Sequence, residues 1–393
     1  MRAPAWKPVA AAAVLLLGQT LVTAAPAVAA GPITITADMP AAVPVGHNWS
    51  FDDYFPRSLT VPQGTTLQFV NEGFHTSTLL PHGLSAASDE KVNGVATNDL
   101  DDSGRNINGT THSEFNLPAL APTPGCGTWT TPCNFDGGGV VSSGASFGPP
   151  SGPFVVKMSA PTGTYTFHCR IHPGMTGRIT VVSPSAAGTS AAGLAERVTH
   201  QIKADVHAGF VAERAASKGS KVRNENGTTT WFVTAGTGSP DGRVAVLEFL
   251  PTKLKIKKGD KVVFKSPEPN EPHTVTFPGE LNTDLVPLCE NGTTDTPAIP
   301  LHNPPQSPLD FTCGAGPFEV ELGGGNGVSK VTSPSTISDS GVIGSTAMRR
   351  AYGLGSHAVL TSWKVSFRGA AKGTYTYICQ IHGAAMGGTI VLH

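Results

Sequence analysis

Two segments of this 393-residue chain carry the same soft donor set in the same order. Gly163 to Val181 reads GTYTFHCRIHPGMTGRITV and offers Cys169, His172 and Met175. Gly373 to Leu392 reads GTYTYICQIHGAAMGGTIVL and offers Cys379, His382 and Met386. Each segment has a second imidazole upstream, His75 in NEGFH and His273 in NEPH. A thiolate and two imidazoles in a trigonal array, with a long weak thioether bond, suit both copper oxidation states, so little rearranges when an electron arrives or leaves. The chemistry expected is one-electron transfer at two coppers, each held by one His/Cys/His/Met set. Zinc is the other candidate metal, but it seldom takes Met and lies below copper in intrinsic affinity.

The elements that must position these donors are also repeated. Leu59 to Phe69 reads LTVPQGTTLQF and Leu254 to Phe264 reads LKIKKGDKVVF, an ungapped match. The chain therefore holds two copies of one domain in the same order. Leu59, Val61, Leu67 and Phe69 alternate on one face around a turn at Gly64, as do Leu254, Ile256, Val262 and Phe264 around Gly259, which reads as a strand hairpin in each copy. Further strands are expected at 33–37, 154–158, 163–168, 178–182, 244–249, 363–367, 374–379 and 389–392. Many short strands with Gly/Pro turns, in a chain with 46 Gly and 33 Pro, predict an all-β architecture of two β-sandwiches. Alternation places Tyr165, Phe167 and Cys169 on one strand face, and Tyr375, Tyr377 and Cys379 on the equivalent one.

The organisation expected is a signal peptide over 1–29, a first domain over 30–184, a linker over 185–222 and a second domain over 223–393. Arg2 and Lys7 precede an apolar run from Val9 to Val22, and Ala27-Val28-Ala29 fits the small-x-small rule of signal cleavage. No other segment approaches the ~20 apolar residues of a membrane span, so a soluble, secreted or periplasmic protein is expected, in a compartment where disulfides persist. In the linker, Leu194, Val198 and Ile202 recur every four residues, an amphipathic helix with Ser190 as cap that rests on one sandwich as a connector. Only 14% of residues are charged, and 27 Lys+Arg nearly cancel 28 Asp+Glu, so a nucleic-acid grip by net charge is not expected.

Six cysteines allow many pairings, including one in which Cys169 and Cys379 are ordinary core or disulfide cysteines. Cys126 and Cys133 lie in one loop insertion, however, and Cys289 and Cys313 in the matching one. Disulfides Cys126–Cys133 and Cys289–Cys313 are expected, which leaves one free thiol beside His and Met in each copy.

At Tyr165-Thr-Phe-His-Cys-Arg-Ile-His-Pro-Gly-Met175 and Tyr375-Thr-Tyr-Ile-Cys-Gln-Ile-His-Gly-Ala-Ala-Met386, each with its upstream His, the chain resembles the cupredoxins of the plastocyanin, pseudoazurin and amicyanin group. The resemblance covers both copies. It implies a Greek-key β-sandwich in each, type 1 (blue) copper at His75, Cys169, His172 and Met175 and again at His273, Cys379, His382 and Met386, and one-electron transfer; the electrons are expected to pass either to a redox protein partner or between the chain's own two domains. It also implies that His172 or His382, the imidazole nearer solvent, is the electron port. Two features depart from the family. The stretch from upstream His to Cys is long in both copies because of the insertions, and copy two has one more residue between His382 and Met386, which puts Met386 in doubt as a ligand and predicts unequal reduction potentials.

Two-domain cupredoxins also include laccases and nitrite reductases. Laccases resemble one another in His-x-His pairs, and none of the 13 histidines here has another two positions away. Nitrite reductases place a histidine before the copper cysteine as a ligand to a second, type 2 copper, and His168 stands there. His82 does not stand at that family's spacing for the next ligand, and His168 reads as a surface histidine. Copper storage or delivery is the remaining alternative, but six Met without a cluster give no exposed Cu(I) tract. The expectation is an electron carrier rather than an enzyme.

Overall fold

The computed structural model describes residues 32–93, 96–98, 113–115, 117–145, 152–279, 285–289, 296–297, 299–300, 311–312, 318–322, 328–352 and 360–393. The first sandwich pairs Tyr54–Phe55, Ile33–Ala37, Thr66–Asn71, Phe154–Met158 and Cys133–Phe135 in one sheet. Its second sheet runs Val141–Ser142, Thr78–Leu79, Gly163–His168, Thr176–Val182 and Ser58–Pro62. The second sandwich repeats this plan, with Ala245–Leu250, Thr229–Gly238, Lys261–Lys265 and Ser362–Ser366 facing Lys253–Ile256, Gly383–Leu392, Gly373–Cys379, Thr276–Phe277 and Ser338–Asp339. Parallel pairs, Ile33 with Leu67 and Leu59 with Ile179, mark the crossovers of the chain between sheets.

The two segments expected as hairpins are not hairpins. Ser58–Pro62 and Thr66–Asn71 lie in opposite sheets, as do Lys253–Ile256 and Lys261–Lys265. The chain turns at Gly64 and Gly259 from one sheet to the other. Leu59, Val61, Leu67 and Phe69 still share one core, because a strand on either side of a sandwich points its apolar face at the same interior. Period-two alternation fixes what is buried, and it is silent about which sheet a strand joins.

A repeated aromatic packing supports each cysteine. Phe167 lies at 4.8 Å from the Tyr54 ring and 5.5 Å from Phe69, in edge contacts. Its ring passes directly over Gly177, where an added Cβ would come within 2.1 Å of Phe167 Cζ. Tyr377 packs in the same way on Phe249 at 4.8 Å and Phe264 at 5.1 Å, and lies over Gly388, where a Cβ would come within 2.3 Å of its ring. Glycine is required at both positions because the aromatic ring two residues before the cysteine crosses the neighbouring strand.

The two copies are joined by more than a connector. Strand Trp49–Ser50, from the first copy, forms an edge of the second sandwich against Ala245 and Val246. Helix Ala191–Ser217 is capped as expected, Gly193 N–H donating to Ser190 Oγ at 3.1 Å. It does not rest on one sandwich alone. Gln201 bonds Arg57 N and Tyr54 O of the first copy, while Ala212, Val198 and Val206 pack with Trp49, Phe51, Phe55, Val244, Val246 and Leu250 in a third apolar cluster that draws on both copies. Glu114 from one insertion also pairs with Glu321 from the other, in a sheet the two insertions share.

Truncating Phe167 or Tyr377 to Ala should cost about 3–5 kcal/mol, and Gly177→Val should destabilise as well, by denaturant unfolding of the metal-free protein. A loss below about 1 kcal/mol for Phe167→Ala would contradict the packing role given to it.

Candidate metal centres

In the first copy, strand Gly163–His168 delivers Cys169 to the end of the sandwich. The loop after it is closed on itself by Cys169 N–H to Met175 O at 3.0 Å and Met175 N–H to His172 O at 3.1 Å. His75 arrives from the opposite sheet, beyond Thr66–Asn71, and is steadied by Asn71 Nδ2 on its carbonyl at 3.1 Å. Arg170 N–H donates to Thr76 Oγ1 at 2.8 Å and stitches the two loops together. The second copy uses the same stitch, Gln380 N–H to Thr274 Oγ1 at 2.8 Å.

These loops bring the predicted donors together. Cys169 Sγ lies 3.9 Å from His75 Nδ1 and 3.7 Å from His172 Nδ1, and the two Nδ1 atoms are 2.9 Å apart. Cys379 Sγ lies 4.0 Å from His273 Nδ1 and 3.4 Å from His382 Nδ1, with those Nδ1 atoms 3.2 Å apart. A trigonal ion with bonds of about 2.0 Å to nitrogen and 2.3 Å to sulfur requires separations of roughly 3.5 Å between nitrogens and 3.7 Å from nitrogen to sulfur. Both sets fit, slightly compressed along the nitrogen pair. Met175 and Met386 are buried in the same apolar clusters as Cys169 and Cys379 respectively. In the second copy the ladder shifts register between Ile378 and Cys379, whose partners are Gly387 and Gly383.

The sulfurs are prepared as anions. Thr76 N–H at 3.3 Å and Ile171 N–H at 3.4 Å point at Cys169 Sγ, and Thr274 N–H at 3.3 Å points at Cys379 Sγ. Burial alone would raise both thiols, but the flanking imidazoles override it, and both lie well below the ordinary thiol range. Burial opposes charge on the imidazoles too. Asp38 and Cys169 nevertheless bring His75 to about 9, and Cys379 and Glu271 bring His382 to about 10.

The two centres differ in what lies behind the upstream imidazole. His75 Nε2 is 3.9 Å from Asp38 Oδ2. His273 Nε2 has no hydrogen-bond partner among the described residues and lies against Gly236, where a Cβ would come within 1.9 Å. Burial accordingly lowers His273. Such outer contacts fix ring orientation and donor strength, so the centres are chemically unequal beyond the Met spacing.

Of the two downstream imidazoles, His172 is buried and does not face solvent as a port, while His382 is half-buried. His172 Nε2 contacts Glu271 Oε1 at 2.8 Å, and His382 Nε2 contacts Glu271 Oε2 at 3.5 Å. Burial would raise this carboxyl, but His172 and His382 hold it well below the usual range. Sequence reasoning did not single out Glu271, although it lies inside the quoted NEPH motif. Its counterpart by position, Glu72 in NEGFH, is exposed, so the motif does not reveal which glutamate turns inward. Asp52 joins His172 and Glu271 in a third buried group, and His47, Glu213 and Glu248 form a half-buried one beside the long helix.

His168 is not a surface histidine: it is fully buried. Its Nε2 is 2.9 Å from Asp89 Oδ2, Arg170 Nε lies 2.7 Å from the same oxygen, and Asp89 is buried on helix Ala86–Asn93. That helix begins the first insertion, so the insertion closes over the strand face opposite Cys169. Cys126 and Cys133 form the expected disulfide, and Cys169 and Cys379 are free. The Cys289–Cys313 pairing lies outside the described residues, as does the segment over 1–29. No helix among the described residues is long and apolar enough to cross a membrane.

No family model matches the chain, and no curated protein does. Among solved structures, it is similar to the Cu(I) form of an amicyanin mutant at 15% identity, over 41% of this chain and 80% of that one, with a TM-score of 0.17. It is also similar to dithionite-reduced auracyanin from Roseiflexus castenholzii at 19% identity, over 39% of this chain and 98% of that one, with a TM-score of 0.20.

The shifted groups set the pH profile of the metal-free protein. The raised imidazoles contribute stability that is complete below their unfolded value of about 6.5 and is lost as pH rises through about 9 for His75 and about 10 for His382. The lowered thiols contribute stability that is complete above about 8.5 and is lost as pH falls toward their folded values. The two contributions therefore oppose one another between about pH 6.5 and 8.5, the imidazole one being lost at higher pH and the thiol one at lower pH, and ultraviolet thiolate absorption should already be present at neutral pH. Absorption that grows in only above the ordinary thiol pKa would contradict this.

Proposed function

We propose that this chain is an exported copper protein that carries single electrons through two type 1 sites, one per sandwich. The observation that supports the reading most is the pair of Cys/His/His sets, one buried and one with only His382 half-buried, each with its sulfur and two Nδ1 atoms close to the separations a trigonal ion requires. Copper bound there would supply a one-electron couple whose two oxidation states tolerate the same geometry. Cys169 and Cys379 hold the thiolate charge in a dry environment. His75, His172, His273 and His382 are aimed through Nδ1, with the loops stitched so that the set does not reorganise. Met175 and Met386, buried in the same clusters as the two cysteines, would supply the thioethers.

Catalysis at an additional type 2 copper is less well supported. Asp89 already occupies His168 Nε2 and is itself neutralised by Arg170, so His168 has a structural ion-pair role. The redox partner is a protein of unassigned identity, and nothing in the charge balance points to nucleic acid.

Copper-loaded protein should contain two ions per chain, both with the narrow hyperfine splitting of type 1 sites in electron paramagnetic resonance. Cys169→Ser and Cys379→Ser should each remove the blue absorption of one site and leave the other. A spectrum untouched by either substitution would sink that site's assignment, and a type 2 signal in the wild type would favour a reductase.

A further inference from the structure

The two downstream imidazoles face one another across one carboxylate. His172 belongs to the first copy, while Glu271 and His382 belong to the second; His172 and Glu271 are buried and His382 is half-buried where the sandwiches meet. With Nδ1 of each imidazole turned toward its cysteine, each Nε2–H is left to donate outward, and the acceptor on both sides is Glu271. One oxygen serves each ring. The outer edge of His172 is therefore buried against Glu271 of the other copy, and the outer edge of His382 turns to the same carboxylate while keeping part of its surface exposed.

We propose that Glu271 is the coupling residue of the molecule, a carboxylate shared by both metal-ligand imidazoles that sets the two centres' potentials together and carries electron exchange between them. The proposal rests on the two-copper reading above. In the exchange, one electron leaves the reduced centre, which becomes oxidised, and enters the oxidised centre, which becomes reduced. No proton moves, since Glu271 accepts from both Nε2–H groups before and after, and no external oxidant or reductant is consumed. Because the anion is common, it favours the oxidised state of both centres. Oxidation of one also draws the carboxylate toward that ring and weakens its hold on the other. The trait to expect is a pair of centres whose potentials depend on each other's state.

The test uses full-length copper-loaded protein as wild type, Glu271→Gln, Glu271→Ala and the exposed-site control Glu72→Gln. Metal content and paramagnetic resonance are measured first, then the potential of each centre by redox titration and the intramolecular transfer rate after pulsed one-electron reduction. Glu271→Gln, which keeps the shape and removes the charge, should retain two type 1 signals and move both potentials upward. Glu271→Ala should slow the exchange at least tenfold, and Glu72→Gln should change neither. Type 1 signals intact in Glu271→Gln with only one potential moved, or none, would overturn the coupling role and leave the two-copper reading standing. A wild type without two type 1 signals would overturn both. A second measurement needs no change at Glu271: the two-copper wild type should show spin–spin broadening that is absent from Cys379→Ser, and identical line widths would contradict centres joined by one side chain.

Discussion

A thiolate buried between two imidazoles is the interaction on which the rest of this molecule depends. An ionised sulfur without water is tolerated only if donors and positive charge surround it. Cys169 and Cys379 have both, from backbone N–H groups and from rings drawn in from the opposite sheet. Each demand explains a feature of the fold. The rings must come from two different sheets, so the chain crosses between them at Gly64 and Gly259. The cysteine must not shift, so the residue two before it is a large aromatic wedged over a glycine. The loops must stay in register, so a threonine hydroxyl after each upstream histidine holds the residue after each cysteine.

Duplication of that unit then created a contact a single unit lacks. The strand Trp49–Ser50, the long helix and the third apolar cluster hold the copies together, with the imidazole ends of both centres turned to one carboxylate at the junction. Glu271 is held by His172 and His382, and Asp52 and Asn270 lie beside it, with Asn270 Nδ2 3.4 Å from Asp52 Oδ2. Polar groups concentrated in an otherwise apolar interface are costly unless paired. Their position between the two sites gives the pairing a functional setting. The copies are also unequal, with Asp38 behind His75, whereas His273 Nε2 lies against Gly236 with no hydrogen-bond partner among the described residues.

Much of this was legible in the sequence, for physical reasons. Cys169, His172, Cys379 and His382 lie on short loops whose spacing is fixed by local backbone geometry, so the residues themselves announce the sites. His75 and His273 were readable because the repeat preserves each after the same pair of strands. The strands expected at 33–37, 154–158 and 163–168 stand at those bounds, although Val155 and Val156 are buried on both faces and break strict alternation. What the sequence did not reveal depends on packing between distant parts. Alternation could not show that the 58–71 segment arches between sheets, that His168 is covered by helix Ala86–Asn93, or that the long helix spans both copies. Strand Thr229–Gly238 was missed, and so was Glu271, because its partners stand in different copies.

Anomalous diffraction at the copper edge from crystals of the copper-loaded protein tests the central claim most directly. The account predicts two peaks per chain, one among Cys169, His75 and His172 and one among Cys379, His273 and His382, with Glu271 between the two outer imidazoles and bonded to both. A single peak, or density among Asp52, His172 and Glu271 in place of the two thiolate sites, would contradict it.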